Sequence, residues 1–284
     1  MKFGIIGGSG LYEIEGIKDV KNLTIDTPFG KPSDEFVTGN LEGKDVVFLP
    51  RHGKGHRFLP SEINYRANIW GMKSLGVTHL IAISAVGSLR EEIVPGHIVL
   101  TDQFIDRTKD RPSTFFGNGL VAHLQFGDPT CKHLSEEIAK AAEEVGVTCH
   151  KGGTFMCMEG PMFSTRAESE MYRTLGASVI GMTNLQEAKL SREAEFCFST
   201  IALATDYDCW HESEEEVSVD AILEVMRKNV TNTKAILKIL LKDFQPKSPV
   251  CQDQSSLQGA ILTQPDMIPE QVKKDLEIIV GKYL

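Results

Sequence analysis

His79-Leu80-Ile81-Ala82-Ile83-Ser84-Ala85-Val86-Gly87-Ser88 is the stretch on which the reading of this chain turns. Its first half is a short apolar run of strand length, and the run ends in hydroxyls and a glycine. The same pattern recurs along the chain. Lys2 to Ile6 stops at Gly7-Gly8-Ser9-Gly10, Val46 to Leu49 runs into Arg51-His52-Gly53, and Gly96 to Leu100, Ser178 to Met182 and Phe196 to Leu203 are further strand candidates. Between them, Ser61 to Leu75, Cys131 to Val145, Ser164 to Leu175 and Val217 to Phe244 carry helical apolar spacing. Gly76 and Gly146 follow two of these segments, where left-handed C-caps are expected. Strands alternating with helices predict a mainly parallel sheet covered by helices.

Working outward, no break in composition divides residues 1–244, which read as a single α/β domain. After Gln245-Pro246 the chain turns Ser/Gln-rich to about Gly259, and Pro269 to Val280 regains helical spacing. Residues 245–284 are therefore expected to be a linker and a C-terminal helix that docks on the same domain or on a neighbouring subunit.

The bulk numbers set limits on function. With 39 acidic against 30 basic residues, the net charge of −9 gives no general attraction for nucleic acid or for an anionic membrane surface. No apolar run approaches the ~20 residues that span a bilayer. The six cysteines form no C-x-x-C pair and no zinc-finger spacing, so the expectation is reduced thiols in a cytoplasm. Any phosphate bound here needs a local site.

Such a site is suggested at the carboxyl ends of the strands, where open α/β sheets bind ligands. Ser9 lies in a glycine turn whose amides can approach an anion, although neither a dinucleotide fingerprint nor a Walker loop is present. Arg51 offers paired donors matched to phosphate, and His52 beside it can donate through its ring. Ser84 and Thr183 end two other strands. Each fits an ordinary strand end as well; together they suggest an oxyanion site built mostly from neutral donors. The sharpest local feature is Ala204-Thr205-Asp206-Tyr207-Asp208. Two carboxyls two residues apart point the same way if the backbone stays extended, and in an apolar pocket one of them should rise in pKa and act as an acid. A turn or helix N-cap is the alternative reading.

Gly-Ile-Ile-Gly-Gly-Ser-Gly-Leu, Asp-Thr-Pro-Phe-Gly-Lys-Pro-Ser, Arg-His-Gly, Asn-Tyr-Arg-Ala-Asn-Ile-Trp, Glu-Gly-Pro-Met-Phe-Ser-Thr-Arg-Ala-Glu-Ser and Ala-Thr-Asp-Tyr-Asp-Cys-Trp occur in this order. In these segments the chain resembles the 5'-methylthioadenosine phosphorylase family, of the trimeric purine nucleoside phosphorylase type, from residue 3 to about 244. The resemblance implies a three-layer α/β/α subunit with a mixed central sheet. It implies reversible phosphorolysis of 5'-methylthioadenosine to adenine and 5-methylthioribose 1-phosphate, in purine and methionine salvage. It further implies a homotrimer, or a hexamer of paired trimers, with phosphate as co-substrate and no metal or organic cofactor.

By position in the motifs, Ser9, Arg51, His52, Ser84, Ala85 and Thr183 resemble a phosphate site, with Ser9 and Ser84 standing where threonine is common. Met182 resembles the residue whose amide meets the ribose, and Phe163 the ring beside the base. Ser164, Asp206 and Asp208 resemble the set that reads the purine, with Asp206 as the acid at N7. Val219, together with His123 from a neighbouring subunit, resembles the lining of the methylthio pocket. A carboxylate acceptor suits the 6-amino group of adenine, whereas a 6-oxopurine would set its carbonyl against negative charge. A 6-oxopurine phosphorylase, a nucleoside hydrolase and a non-catalytic nucleoside binder are the rival readings. Gln186 stands where the family usually has proline.

Overall fold

A computed structural model describes residues 1–8, 14–211, 219–246 and 251–284 of the 284-residue chain. In chain order the elements are β1 (Lys2–Gly7), β2 (Lys18–Leu23), β3 (Phe36–Leu41), β4 (Lys44–Pro50), α1 (Tyr65–Ser74), β5 (His79–Ser88), β6 (Ile98–Leu100), β7 (Gln103–Arg107) and α2 (Lys132–Val145). They continue with β8 (Cys149–Lys151), β9 (Thr154–Met158), α3 (Arg166–Thr174), β10 (Val179–Gly181), α4 (Leu185–Glu193), β11 (Cys197–Asp206), α5 (Val219–Asp243), α6 (Glu270–Asp275) and α7 (Glu277–Val280).

The strands form one mixed sheet with β5 at its centre. β1 runs parallel to β4 and β5, β11 runs parallel to β5 along its length, and β10 pairs with the end of β5 in the opposite direction. Alternate residues of each strand face opposite layers, as the two-residue period of a strand requires. Phe3, Ile5, Ile81, Ile83 and Ile201 pack beneath α2 and α5, whereas Ile6, Leu80, Ala82, Phe196 and Phe198 pack beneath α1, α4 and the C-terminal segment. This is the three-layer α/β/α arrangement. Among the described residues no helix is long and apolar enough to cross a membrane.

Helix ends follow local chemistry. Asn64 caps α1 by accepting from the Ala67 amide, and Thr165 with Glu168 forms a reciprocal capping box on α3. Gly76 and Gly146 take the left-handed conformation after α1 and α2, with φ of 79° in each case.

The tail lies along the α1 face of this same chain. Trp70 Nε1 donates to the Asp275 carbonyl at 3.0 Å, and buried Leu257, Ile268, Leu276 and Ile279 join the core there. Glu195 fixes both ends of this segment: its Oε1 accepts from the Leu257 amide at 3.1 Å, and Lys282 Nζ lies 2.6 Å from Oε2.

Gly71 tests how tightly α1 packs on the sheet. A Cβ there would stand 2.3 Å from Cζ of the buried Phe36 ring. Alanine gains ~1 kcal/mol of helix propensity over glycine, but forced overpacking costs ~1–3 kcal/mol or more. Gly71→Ala should therefore lower the urea midpoint of unfolding; a midpoint unchanged or raised would show that the ring moves aside freely.

Candidate active site

The cleft begins where the sheet parts. One edge of β5 is paired with β1 only from His79 to Ala82 and with β10 only at Gly87 and Ser88. Among the described residues, none pairs with residues 83–86 on that side, while β11 continues along the other edge. The strand predicted to end at Ile83 in fact runs to Ser88, because β11 pairs with it beyond the point where its apolar run stops. Ser84 and the exposed Ala85 therefore lie on a strand facing an opening rather than in a loop.

Arg51 fills the start of that opening. Its backbone amide donates to the Gly7 carbonyl at 3.0 Å, continuing the β1–β4 pairing. Its guanidinium donates from Nη1 to the Ile83 carbonyl at 2.7 Å and from Nη2 to the Ile6 carbonyl at 3.5 Å. Nε and Nη2 both reach the Glu187 carboxylate at 2.7 Å. Burial opposes the Arg51 charge, yet the attraction and hydrogen bonds of Glu187 more than offset this and raise its pKa. The paired donors expected to meet a phosphate are therefore turned onto Glu187, and four of the five guanidinium N–H groups have protein partners.

His52 is likewise constrained. Its Nδ1 lies 2.8 Å from the Phe58 carbonyl, which can only accept, so Nδ1 carries the proton and Nε2 of the neutral ring is an acceptor. Burial, with contributions from the Arg51 and His56 charges, lowers the ring's pKa to about 4. The His56 ring stacks on it with centroids 4.2 Å apart. At neutral pH His52 thus donates through Nδ1 to Phe58, and its Nε2 is left as an acceptor.

β10 delivers the facing side. Running antiparallel to β5, it leads through Met182 into the buried Thr183, whose Oγ1 is 3.5 Å from Ser84 Oγ. Asn184 then reverses the chain at φ 90°, held by its side chain, which donates to Thr200 Oγ1 at 3.0 Å. α4 starts at the next residue and places Glu187 in its first turn. Gln186 is buried in that turn, its Nε2 donating to Thr108 Oγ1 at 2.8 Å; proline, which the first turn of a helix tolerates, would lack this bond. Ser9 lies outside the described residues.

At the far end of the opening, β11 closes on Asp206, which is paired with Gly87 after an irregularity in register at Ala204. The backbone does not stay extended: Asp208 sits at φ 53° and starts a short 3₁₀ turn through Trp210. The two carboxylates are brought together by this turn instead of by strand alternation. Asp206 accepts from the Asp208 amide at 2.8 Å and from Thr205 Oγ1 at 2.7 Å. Asp208 accepts from Ser169 Oγ at 2.6 Å, and Ser164 is also a partner. Burial raises the Asp208 pKa, Ser169 works against that rise, and the Asp206 charge adds to it. A Cβ on Gly87 would stand 3.0 Å from Asp206 Oδ1 and 3.3 Å from Asp208 Cβ, so a side chain there would crowd both acids against β5. Trp210 pins the turn by donating to the Ser88 carbonyl at 2.8 Å.

Arg111 joins the two walls of the cleft: Nη1 donates to the Met182 carbonyl at 2.6 Å, Nε pairs with Glu159, and Nη2 donates to the Glu159 carbonyl. The loop that Arg111 holds carries Phe163, 84% exposed, and then the buried Ser164. Sequence reading assigned no role to Glu187, Arg111, Ser169 or Gly87, since each acts through partners distant in the chain. Val219 is the first residue of α5, and its side chain lies outside the description. His123 is exposed and lines a depression with Phe126, Lys189 and Glu193, which shares no residue with the cleft. Among the described residues, the one cluster able to hold a metal, Cys131, Cys197, Cys251 and Asp253, is also separate from it.

Residues 2–242 match the phosphorylase superfamily. The S-methyl-5'-thioadenosine phosphorylase of Geobacter sulfurreducens is 60% identical over 282 residues, covering 99% of this chain and 98% of its own. That of Koribacter versatilis is 52% identical, with 99% and 96% covered. Among solved structures, a methylthioadenosine phosphorylase from an antarctic soil metagenomic library superposes with a TM-score of 0.94 at 43% identity over 98% of each chain. The Schistosoma mansoni methylthioadenosine phosphorylase in complex with adenine gives a TM-score of 0.79 at 39% identity, over 85% of this chain and 90% of its own. With near-complete coverage at these identities, the chain belongs to the phosphorylase superfamily and, within it, to the S-methyl-5'-thioadenosine phosphorylase family.

Proposed function

We propose that this chain cleaves 5'-methylthioadenosine reversibly with phosphate, giving adenine and 5-methylthioribose 1-phosphate. The observation that carries the reading is the opening in β5, which sets hydroxyls and a charge-balanced arginine at one end and two carboxyls at the other. Ser84 and Gly87 are three residues apart, about 10 Å of strand. A ribosyl carbon can lie between them, with phosphate on one side and a purine on the other.

Phosphate meets Ser9, Ser84, the Ala85 amide, Thr183 and the remaining Arg51 N–H. His52 Nε2 accepts a hydrogen bond from a phosphate hydroxyl, which selects how the nucleophile is presented. As the C1'–N9 bond stretches, charge builds on the purine, and Asp206 supplies the proton at N7 while phosphate captures C1' with inversion. Asp208, with Ser164, accepts from the 6-amino group and so favours adenine over a 6-oxopurine. The Met182 amide meets the ribose, and Phe163 covers the base. No cofactor enters this scheme. The working unit is a cytoplasmic homotrimer in which Val219, together with His123 contributed by a neighbouring copy, encloses the methylthio group, for which apolar walls are apt.

Initial rates on methylthioadenosine, adenosine, methylthioinosine and inosine, each with and without phosphate, test the assignment. Methylthioadenosine should lead, and turnover should need phosphate; equal rates without phosphate would point to a hydrolase. Asp206→Asn should lower kcat/KM by about 100-fold or more. A loss within threefold, under ~0.7 kcal/mol, removes Asp206 from the acid role. Asp208→Asn should instead shift preference toward methylthioinosine, by about tenfold, because an amide can donate to a 6-oxo group. An unaltered ratio would leave Asp208 out of base selection.

His52 gives a pH test with a definite sign. Its folded pKa of about 4 lies below the ordinary imidazole value of ~6.5, so the unfolded chain takes up this proton first and His52 contributes a loss of stability as pH falls through that window. Above about pH 5.5 the ring is already neutral in the folded state. The phosphate KM of wild type and His52→Ala should then differ in size but follow parallel pH curves, apart from the ionisation of phosphate itself. A limb near about 6.5 that disappears in the variant would show a titrating, cationic His52.

A further inference from the structure

Cys131 precedes α2, Cys197 opens β11, and Cys251 and Asp253 begin the tail. These segments are far apart in sequence, yet their three Sγ atoms and one carboxylate oxygen lie within 4.8 Å of one another. Cys131 Sγ is 3.3 Å from Cys251 Sγ, and Cys251 Sγ is 3.2 Å from Asp253 Oδ2. Cys131 and Cys197 are buried. The other oxygen of Asp253 accepts from Arg192 Nη1 at 2.7 Å, which holds the carboxylate with Oδ2 turned toward the sulfurs.

Tetrahedral zinc with Zn–S of ~2.3 Å and Zn–O of ~2.0–2.2 Å spaces its ligand atoms by roughly 3.5–3.8 Å. The Cys131–Cys251 and Cys251–Asp253 contacts lie about half an ångström inside that spacing, and since no pair exceeds 4.8 Å the wider ones close by about 1 Å at most. Three sulfurs exclude magnesium and calcium, which take oxygen ligands, and four protein ligands with no open position describe a structural site. Arg192 supplies the outer support that such ligating carboxylates carry. Along β11, Cys197 and Asp206 are nine residues apart, about 30 Å, so the cluster has no part in the reaction chemistry.

We propose that Cys131, Cys197, Cys251 and Asp253 form a structural Zn2+ site that fastens the C-terminal segment to the core. Each thiol gives up its proton to solvent as it binds, and no oxidation occurs. The site ties together α2, the first residue of β11 and the tail, so its free energy of binding adds to the stability of the tail's attachment. Sequence spacing shows no zinc pattern because the ligands converge only through the tertiary fold.

The full chain, purified with reductant from cells supplied with zinc, should carry roughly one zinc ion per chain. The reduced, chelator-stripped protein should take up Co2+ with the thiolate charge-transfer absorption of a tetrahedral sulfur site. Chelator should lower the thermal midpoint of wild type, and Cys197→Ser and Asp253→Asn should each lower metal content. Because a variant can fail to fold, the Co2+ titration of wild type decides independently. Absence of that absorption overturns the proposal, as does full metal retention in both variants. So does a Cys131–Cys251 disulfide in fresh protein with no metal uptake after its reduction.

Discussion

The cleft depends on one buried ion pair. Where β1 and β5 separate, just past the Ile6–Ala82 pair, the buried Ile83 carbonyl no longer has β1 beside it, and buried carbonyls require donors. The guanidinium of Arg51 takes the place of the missing strand. A lone cation in that position would be strongly disfavoured, and Glu187 makes it tenable by meeting it in a two-bond fork. Removing either member of such a pair typically costs ~3–5 kcal/mol, because the other is left charged and buried. The pair also sets the position of α4, and through it the reversal at Asn184 and the hydroxyl of Thr183. The opening in the sheet and its far wall are therefore held by the same contact.

This arrangement keeps the proposed phosphate half of the cleft close to neutral. Arg51 is balanced by Glu187, and His52 is uncharged at physiological pH. A nucleophilic anion held mainly by hydroxyls and amides keeps more of its negative charge than one locked between free cations. Fixed dipoles also need no reorganisation as charge moves toward the purine. At the other end, the Asp206 and Asp208 carboxylates share one turn but have different partners, which is the condition for two acids to take different roles.

Much of this was legible in sequence, and what was not has physical causes. β1, β4, β5 and β11 show as continuous apolar runs because they are buried on both faces. β2 escapes such a reading since its residues are almost all exposed and charged or polar. α4 has no amphipathic period, for it buries Gln186, Glu187 and Ser191 along with its leucines. The strand-end residues Arg51, Ser84, Thr183 and Asp206 were visible as polar groups after apolar runs. Their partners were not: Glu187 is 136 residues from Arg51, and Ser169 is 39 from Asp208. Local spacing also foresaw an extended backbone at Asp206 to Asp208, whereas the turn pinned by Trp210 is set by tertiary packing.

The unpaired edge of β5 has a thermodynamic consequence. Over residues 83–86 one side of the central strand has no strand partner among the described residues, so a ligand held there, as proposed, would brace the sheet at that edge. Binding to the native state alone stabilises by about 2.7 kcal/mol at a ligand concentration of 100 Kd. With phosphate seated as proposed, melting in phosphate and melting in an inert buffer would compare two differently braced proteins.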